Sequence, residues 1–219
     1  MKPTRTSKAW MREHVNDPFV KKAKLEGYRS RASYKLMEID DRDKLIIPGI
    51  SVVDLGATPG GWSQVAKERL KGRGRIVAID ILPMVPIHGV DFLEGDFNDP
   101  AIRQRLKERL PSPQIDLVLS DLAPNISGVA LYDQARATEL WVAALEFAVQ
   151  CLKPNGQFLV KVFHGIDFED FVRLMRAVFV TVQTRKPAAS RDRSTEVYLL
   201  GKTLREDAQS ALDRYLGAE

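Results

Sequence analysis

The sequence predicts an α/β fold: a mostly parallel, seven-stranded sheet with helices on both faces and an antiparallel hairpin at its carboxyl-terminal end. Three observations carry that expectation. Short β-branched runs alternate with segments of helical spacing from residue 52 to about 178. The last two strand-like runs, near 178–185 and 196–201, have no helical pattern between them, so they pair as a hairpin. With 219 residues, 44% of them apolar, the chain can bury one substantial core.

Helical spacing at about 7–14, 17–26 and 31–43 precedes the first strand. Val52 and Val53 are β-branched and run into Asp54-Leu55-Gly56, the end of a buried strand. From Trp62 the pattern becomes Trp62, Val65, Ala66, Arg69 and Leu70, one face of a helix. Arg75–Asp80 and Val90–Glu94 are strands, and a helix covers about 99–109, where Asp99 before Pro100 suits a cap. Ile115–Ser120 is the fourth strand, followed by a helix over about 132–152 with Trp141, Leu145, Ala148 and Leu152 on one face. Gln157–Val162 is the fifth strand, and Phe168, Phe171, Val172 and Met175 mark the helix before the hairpin. One domain is expected, made of a basic helical appendage (1–44), a catalytic core (45–202) and a terminal helix or tail (203–219).

The single cysteine, Cys151, lies in an apolar helical pattern, which excludes an internal disulfide and argues against a thiol-metal site; no metal is expected. No run approaches the roughly 20 apolar residues of a membrane span, and the start of the chain lacks the apolar stretch of a signal peptide. A transit peptide is disfavoured by Glu13 and Asp17, which leaves the cytoplasm as the expected compartment. The net charge of +4 hides an asymmetry, because residues 1–36 hold ten of the 33 Lys and Arg but three of the 29 acids. That segment also carries Trp10, Phe19, Tyr28 and Tyr34. It suits a polyanion with stackable bases, or else it is a solvated helix face whose aromatics belong to the core.

In a sheet of this kind ligands bind beyond the carboxyl ends of the strands, and polar groups stand at each one: Asp54, Asp80, Asp96, Asp121 and Lys161. The loop Gly56-Ala57-Thr58-Pro59-Gly60-Gly61 lets a ligand approach the backbone and aims helix N–H groups at it. It is not the G-x-G-x-x-G of a pyrophosphate site. Asp80, 24 positions after Gly56, is placed to accept from both hydroxyls of a ribose, and Asp96 from an exocyclic amine, with Phe97 or Trp62 shaping an apolar slot. S-adenosylmethionine fits that description, since its positive sulfonium favours an acid-rich pocket containing Asp54 and Asp121.

Together "DLGATPGGWSQ", "GDF", "SDLAPNISG", "VKVF" and "RSTEVYL" resemble the FtsJ/RrmJ family of S-adenosylmethionine-dependent RNA ribose 2′-O-methyltransferases. The likeness runs from about Lys8, through "YRSRASYKL", to about Gly201. It implies the Rossmann-like class I methyltransferase fold and, within the family, the bacterial branch that methylates a uridine in the A-loop of 23S rRNA in the large ribosomal subunit. The family's Lys-Asp-Lys-Glu tetrad maps onto Lys35, Asp121, Lys161 and Glu196, and its cofactor contacts onto Gly60, Trp62, Asp80, Asp96 and Asp121. Gly56, Pro59 and Asp54 join that list as parts of the same strand end and loop. Thr58 stands where the family usually has alanine, and "HGIDFEDF" after Phe163 departs from its acid- and glycine-rich stretch.

A ribose 2′-hydroxyl is a weak acid and a poor nucleophile, so attack on a sulfonium methyl calls for a base. Lys161, inside a buried-strand pattern, is the candidate; Lys35 favours its neutral form, while Asp121 and Glu196 orient. Phosphates would be gripped by Lys8, Arg12, Lys21, Lys22, Lys24, Arg29 and Arg31, and by Arg185, Lys186, Arg191 and Arg193 in the loop before Glu196. The partner expected is rRNA and neither DNA nor a membrane, with a monomer as the acting species. A tRNA anticodon-loop substrate is the rival within the family, and a ribosome-assembly factor without turnover is the rival outside it; methyl transfer to isolated substrates separates them.

Overall fold

A computed structural model describes residues 16–191 and 194–217. The helix expected at 7–14 lies outside them. Helix α1 (Pro18–Glu26) starts where Asp17 accepts from the backbone N–H of Phe19 and Val20, with Pro18 in the first turn, and stops at Gly27 with φ 77°. Helix α2 (Ala32–Asp43) leads to β1 (Ser51–Leu55), α3 (Gly61–Leu70), β2 (Arg75–Asp80), β3 (Val90–Glu94), α4 (Pro100–Glu108) and β4 (Ile115–Ser120). Then come α5 (Ala130–Cys151), β5 (Leu152–Phe163), α6 (Phe168–Val178), β6 (Phe179–Arg185), β7 (Glu196–Leu204) and α7 (Ala208–Leu216).

The seven strands form one sheet in the order β3-β2-β1-β4-β5-β7-β6. Pairings are parallel from β3 to β5, and β7 lies antiparallel between β5 and β6. The expected hairpin is therefore present, with its second strand threaded inward. Because β7 runs against its neighbour, its first residue, Glu196, sits beside Phe163 at the carboxyl end of β5. The order reverses between β1 and β4, where α/β sheets open a crevice for ligands.

Alternation along the strands divides the core in two. Val52, Leu117, Leu119, Leu159, Tyr198 and Leu200 meet Leu36 and Ile39 of α2 and Trp62, Val65, Ala66 and Leu70 of α3. Val53, Leu55, Val118, Phe158, Val160, Val162 and Leu199 meet Leu106 of α4 and the apolar faces of α5, α6 and α7. Ala208 and Leu212 belong to this second cluster, so the expected terminal helix or tail is a helix docked on the core. Strand β5 starts at Leu152, five residues earlier than its apolar run suggests. Leu152 pairs with Ile115, and Lys153 reaches Asp116 at 2.6 Å, which draws Pro154-Asn155-Gly156 into an irregular edge of the strand. Cys151 is a core residue whose thiol burial pushes up to about 11.

The appendage is fastened to the sheet by charge. Asp43 at the end of α2 receives Nε and Nη2 of Arg185 at 2.7 Å each, and Lys202 Nζ lies 3.7 Å from it. The forked hydrogen bond from Arg185 holds the Asp43 carboxyl below its usual range, and the same bond raises Arg185. Only 10% of the Arg185 side chain and 6% of Asp43 are exposed, so removing Asp43 leaves a mostly buried guanidinium with only the neutral acceptors of Thr184 and Gln183 among the contacts of its described neighbours. Asp43→Ala should therefore destabilise the protein by about 3 kcal/mol. Thermal denaturation followed by circular dichroism measures this, and the loss should persist at high salt, which screens a surface pair but not this one.

Candidate active site

The loop after β1 is built for close approach. Gly56 has φ 81°, and a Cβ there would stand 2.9 Å from the backbone N of Leu122. Gly60 has φ 107°, and a Cβ would stand 2.9 Å from both Ile87 Cδ1 and Met84 Sδ. The Thr58-Pro59 bond is cis. Asp80, at the end of β2, accepts from the backbone N–H of Thr58 at 2.9 Å and of Leu82 at 2.8 Å, which brings its carboxylate against the loop. Asp96 stands exposed after β3 with Oδ1 accepting from Asn98 N–H at 2.9 Å. Asp54 is fully buried: Oδ2 accepts from Ser63 Oγ at 2.6 Å, and Oδ1 has no hydrogen-bond partner among the described residues. An orphaned carboxylate oxygen beneath a glycine loop, with Asp80 beside it, suits a ligand carrying vicinal hydroxyls and a positive charge.

The two side chains expected to shape an apolar slot, Trp62 and Phe97, are both buried. Trp62 is 2% exposed, donates from Nε1 to the Ala32 carbonyl at 2.9 Å and packs against Tyr198. Phe97 is 3% exposed and packs edge-on against Phe147. Both rings are committed to the core, because each faces the helix layer under its own turn. The apolar side chains that do lie against the loop are Ala57, Met84 and Ile87.

Lys35, Asp121, Lys161 and Glu196 converge at the carboxyl edge. Lys161 Nζ donates to the Asp121 carbonyl at 2.7 Å and lies 3.0 Å from Asp121 Oδ1, with 8% of its side chain exposed. Lys35 Nζ lies 2.6 Å from Glu196 Oε1, which also accepts from Ser190 Oγ at 3.1 Å. Burial pushes the Glu196 carboxyl up, but the charge and hydrogen bond of Lys35, with help from Lys161 and Ser190, hold it below the usual range. Between the two pairs stands Tyr198, its hydroxyl 3.4 Å from Asp121 Oδ1 and 3.3 Å from Glu196 Oε1. Burial and these two carboxylates raise its phenol far up, so it stays a donor. Sequence reasoning missed Tyr198, although two positions after Glu196 on a strand is the same face. Ser190 and Ser63 carried no such signal.

Of the cations expected to grip phosphate, Lys8, Arg12 and Arg193 lie outside the described residues. Lys21, Lys22 and Lys24 are exposed on α1, where Lys22 also sits 4.6 Å over the Tyr34 ring and 3.9 Å from Glu26 in a surface pair. The other five are held by partners within the chain. Arg29 donates to the carbonyls of Pro59, Val85 and Pro86, at 3.2, 2.5 and 3.0 Å. Arg31 binds Asp17 and the Ala189 carbonyl, Arg191 reaches Asp17 at 3.3 Å, and Arg185 is locked on Asp43. Lys186 Nζ donates to the carbonyls of Ser194 and Glu196, at 2.6 and 2.5 Å, tying down the strand that carries Glu196. Phe19 and Tyr28 each pack on Tyr34 with ring centroids 5.7 Å apart, so these three aromatics belong to a small core, while Trp10 lies outside the described residues.

The sequence profile of the FtsJ-like methyltransferase family matches residues 28–204, the whole sheet together with α2. The chain belongs to that family. Proteins named ribosomal RNA large subunit methyltransferase E are similar over nearly the full length. That of Azoarcus sp. (strain BH72) is 60% identical over 94% of this chain and 100% of the relative. The Nitrosospira multiformis protein is 60% identical over 92% and 98%. A Plasmodium falciparum crystal structure, named for a ribosomal RNA methyltransferase, superposes with a TM-score of 0.73 at 31% identity, covering 81% of this chain and 98% of that one. In this methyltransferase Lys35, Asp121, Lys161 and Glu196 stand together at the border between the strands of the glycine loop and the β5–β7 pair.

Asp54 makes the site pH-dependent. Burial, joined by the negative charges of Asp121 and Asp80, pushes its carboxyl from 3.8 to about 7 against the bond from Ser63. An unfolded chain releases this proton near the lower value and the folded one near the upper, so stability falls as pH rises between them. Asp54→Asn keeps an acceptor for Ser63 and should gain on the wild type across that window, by at most about 1.4 kcal/mol per pH unit. Urea denaturation at a series of pH values measures the difference.

Proposed function

We propose that this protein transfers the methyl group of S-adenosylmethionine to the ribose 2′-hydroxyl of a uridine in the A-loop of 23S rRNA, on the large ribosomal subunit in the cytoplasm. The observation that carries the reading is the setting of Lys161, whose amine meets two acceptors of one residue, the Asp121 carbonyl at 2.7 Å and Oδ1 at 3.0 Å. To act as a base the ammonium must first lose one proton, after which its amine has two hydrogens and one lone pair. Asp121 takes the hydrogens and leaves the lone pair for an incoming hydroxyl. The names of the relatives support rRNA as the substrate.

S-adenosylmethionine, when bound, supplies an electrophilic methyl on a positive sulfur. Gly56 and Gly60 would let the loop backbone come close to it, Asp80 would accept from its ribose hydroxyls, and Asp54 and Asp121 would favour its charge. Lys161 removes the 2′-hydroxyl proton as the C–O bond forms. Asp121 orients the amine. Glu196, held ionised by Lys35, keeps that second ammonium fixed, and Tyr198 spans the two carboxylates.

Labelled S-adenosylmethionine incubated with unmethylated large subunits should mark one uridine ribose of 23S rRNA, and isolated tRNA should stay unmarked. Lys161→Ala should slow single-turnover transfer by about 10²–10⁴-fold with cofactor affinity intact. Lys161→Arg should not rescue it, because a guanidinium keeps the charge but is no base near neutrality. Substantial transfer by Lys161→Arg would move Lys161 to a positioning role.

Helix α1 presents Lys21, Lys22 and Lys24 to solvent, the cations left for phosphate among the described part of the appendage's first helix. Replacing all three by Glu should weaken binding to the ribosomal subunit and flatten its salt dependence, by about 0.7–0.9 in slope for each phosphate that is no longer neutralised. A filter-binding series over salt concentration reads this, with cofactor affinity as the unchanged control.

A further inference from the structure

The nine residues 67–75, "KERLKGRGR", hold five Lys and Arg against one acid, a net charge as large as the +4 of the whole chain. They end α3, turn, and open β2 at the amino edge of the sheet. Lys67, Lys71, Arg73 and Arg75 are all exposed, and none of the four has a side-chain hydrogen bond or ion pair among the described residues. The acids around them are engaged. Arg69, the fifth cation, lies 3.4 Å from Asp40 and 2.6 Å from Asp41, Glu68 accepts from the Tyr28 hydroxyl at 2.9 Å, and Asp116 pairs with Lys153 at 2.6 Å. Like charges gathered this closely favour an anionic partner from outside the chain.

The turn that carries them is held in shape. Gly49 N–H donates to the Arg73 carbonyl at 2.6 Å, Arg73 N–H to that of Leu70 at 2.9 Å, and Arg75 N–H to that of Ile50 at 3.2 Å. Gly74 has φ 136°, and a Cβ there would collide with the Ile50 carbonyl, so the two backbones meet only because this residue is glycine. The neighbouring helix is basic too. Helix α1, with its exposed lysines, abuts α3 where Gln64 donates to the Gly27 carbonyl and Glu68 accepts from Tyr28, about one turn from Lys67 and Lys71.

Position separates this surface from the reacting groups. Arg75 starts β2 at the amino edge, whereas Lys161 stands near the carboxyl edge of β5, three strands away. At roughly 3.3 Å per residue along a strand and roughly 4.8 Å between strands, the two backbones are about 20 Å apart. A phosphate that flanks the reacting ribose is only a few bonds from it. The cations of the turn therefore face a different stretch of any RNA whose ribose reaches Lys161.

We propose that residues 67–75 form a second RNA contact, which takes the phosphate backbone of an rRNA segment other than the one bearing the reacting ribose. The inference rests, for its partner, on the ribose-methylation reading above. No aromatic side chain stands in 67–75, so the contact grips phosphates without stacking on bases and adds affinity without sequence preference. The closely spaced phosphates of a helical segment suit two Lys and two Arg on one turn.

The test combines Lys67→Gln, Lys71→Gln, Arg73→Gln and Arg75→Gln in the full chain. Filter binding to unmethylated large subunits should weaken about tenfold or more, with the salt slope flattened by about 0.7–0.9 for each phosphate lost. Methylation should show the change in KM, while kcat, S-adenosylmethionine affinity and melting temperature stay as in wild type. To locate the contact, Arg73→Cys carries a tethered iron chelate that cuts nearby RNA; the native Cys151 is buried. Cuts should fall in an rRNA segment away from the labelled ribose. Unchanged subunit affinity and salt slope in the fourfold variant would overturn the assignment, as would cuts confined to the nucleotides around that ribose. Loss of binding to phosphatidylserine vesicles with subunit affinity unchanged would give the surface to lipid headgroups instead. Binding and cutting need no turnover, so a wild type that grips subunits through this turn yet labels no ribose overturns the ribose reading and leaves the RNA contact standing.

Discussion

Taking a lysine ammonium away from water is one of the more expensive things a fold can do, and Lys161 survives it because Asp121 meets it twice, once with a carbonyl and once with a carboxylate. That pairing does not stand alone. Lys35 and Glu196 form a second one a few ångströms further along the edge, and Tyr198 donates into the space between the two carboxylates. Two positive and two negative groups sum to no net charge, which makes their shared burial tolerable. The threading of β7 between β5 and β6 is what allows it, since only an antiparallel strand begins at the edge where the parallel ones end.

The amino-terminal helices contribute one member of that quartet, Lys35, and so must hold their place against the sheet. They do so largely through arginines. Arg185 grips Asp43, Arg31 joins Asp17 to the Ala189 carbonyl, and Arg29 reaches across to the loops around residues 59 and 85–86. A guanidinium suits this work because its donors lie in a rigid plane and its charge is permanent. The result joins the surface that offers Lys21, Lys22 and Lys24 to solvent to the backbone that surrounds the glycine loop.

Much of this is legible in the chain itself. Strands and helices declare themselves through period, and the acids at Asp54, Asp80, Asp96 and Asp121 stand out because a parallel sheet puts every strand end on one edge. What period does not report is which distant residue a side chain meets. Arg185 and Asp43 are 142 positions apart, so a residue that reads as a phosphate ligand is in fact a clamp. Trp62 and Phe97 read as available to a ligand for the same reason, and both are core. The early start of β5 is hidden by Pro154 and Gly156, whose local preference yields to pairing with β4. Tyr198 is within reach of strand alternation; that Lys67, Lys71, Arg73 and Arg75 stand unpaired among the described residues is not, because only three-dimensional packing brings it to light.

Arg29 binds its three loop positions solely through carbonyl oxygens, at Pro59, Val85 and Pro86. A carbonyl is the same group whatever side chain follows it. The segment around 81–86 can therefore change its side chains without disturbing this junction, provided its path is kept, whereas Arg29 has no equivalent substitute. The burden of keeping the mouth of the site in shape thus falls on a residue that belongs to neither loop. Freedom of side chain in those loops and dependence on position 29 are two sides of one arrangement.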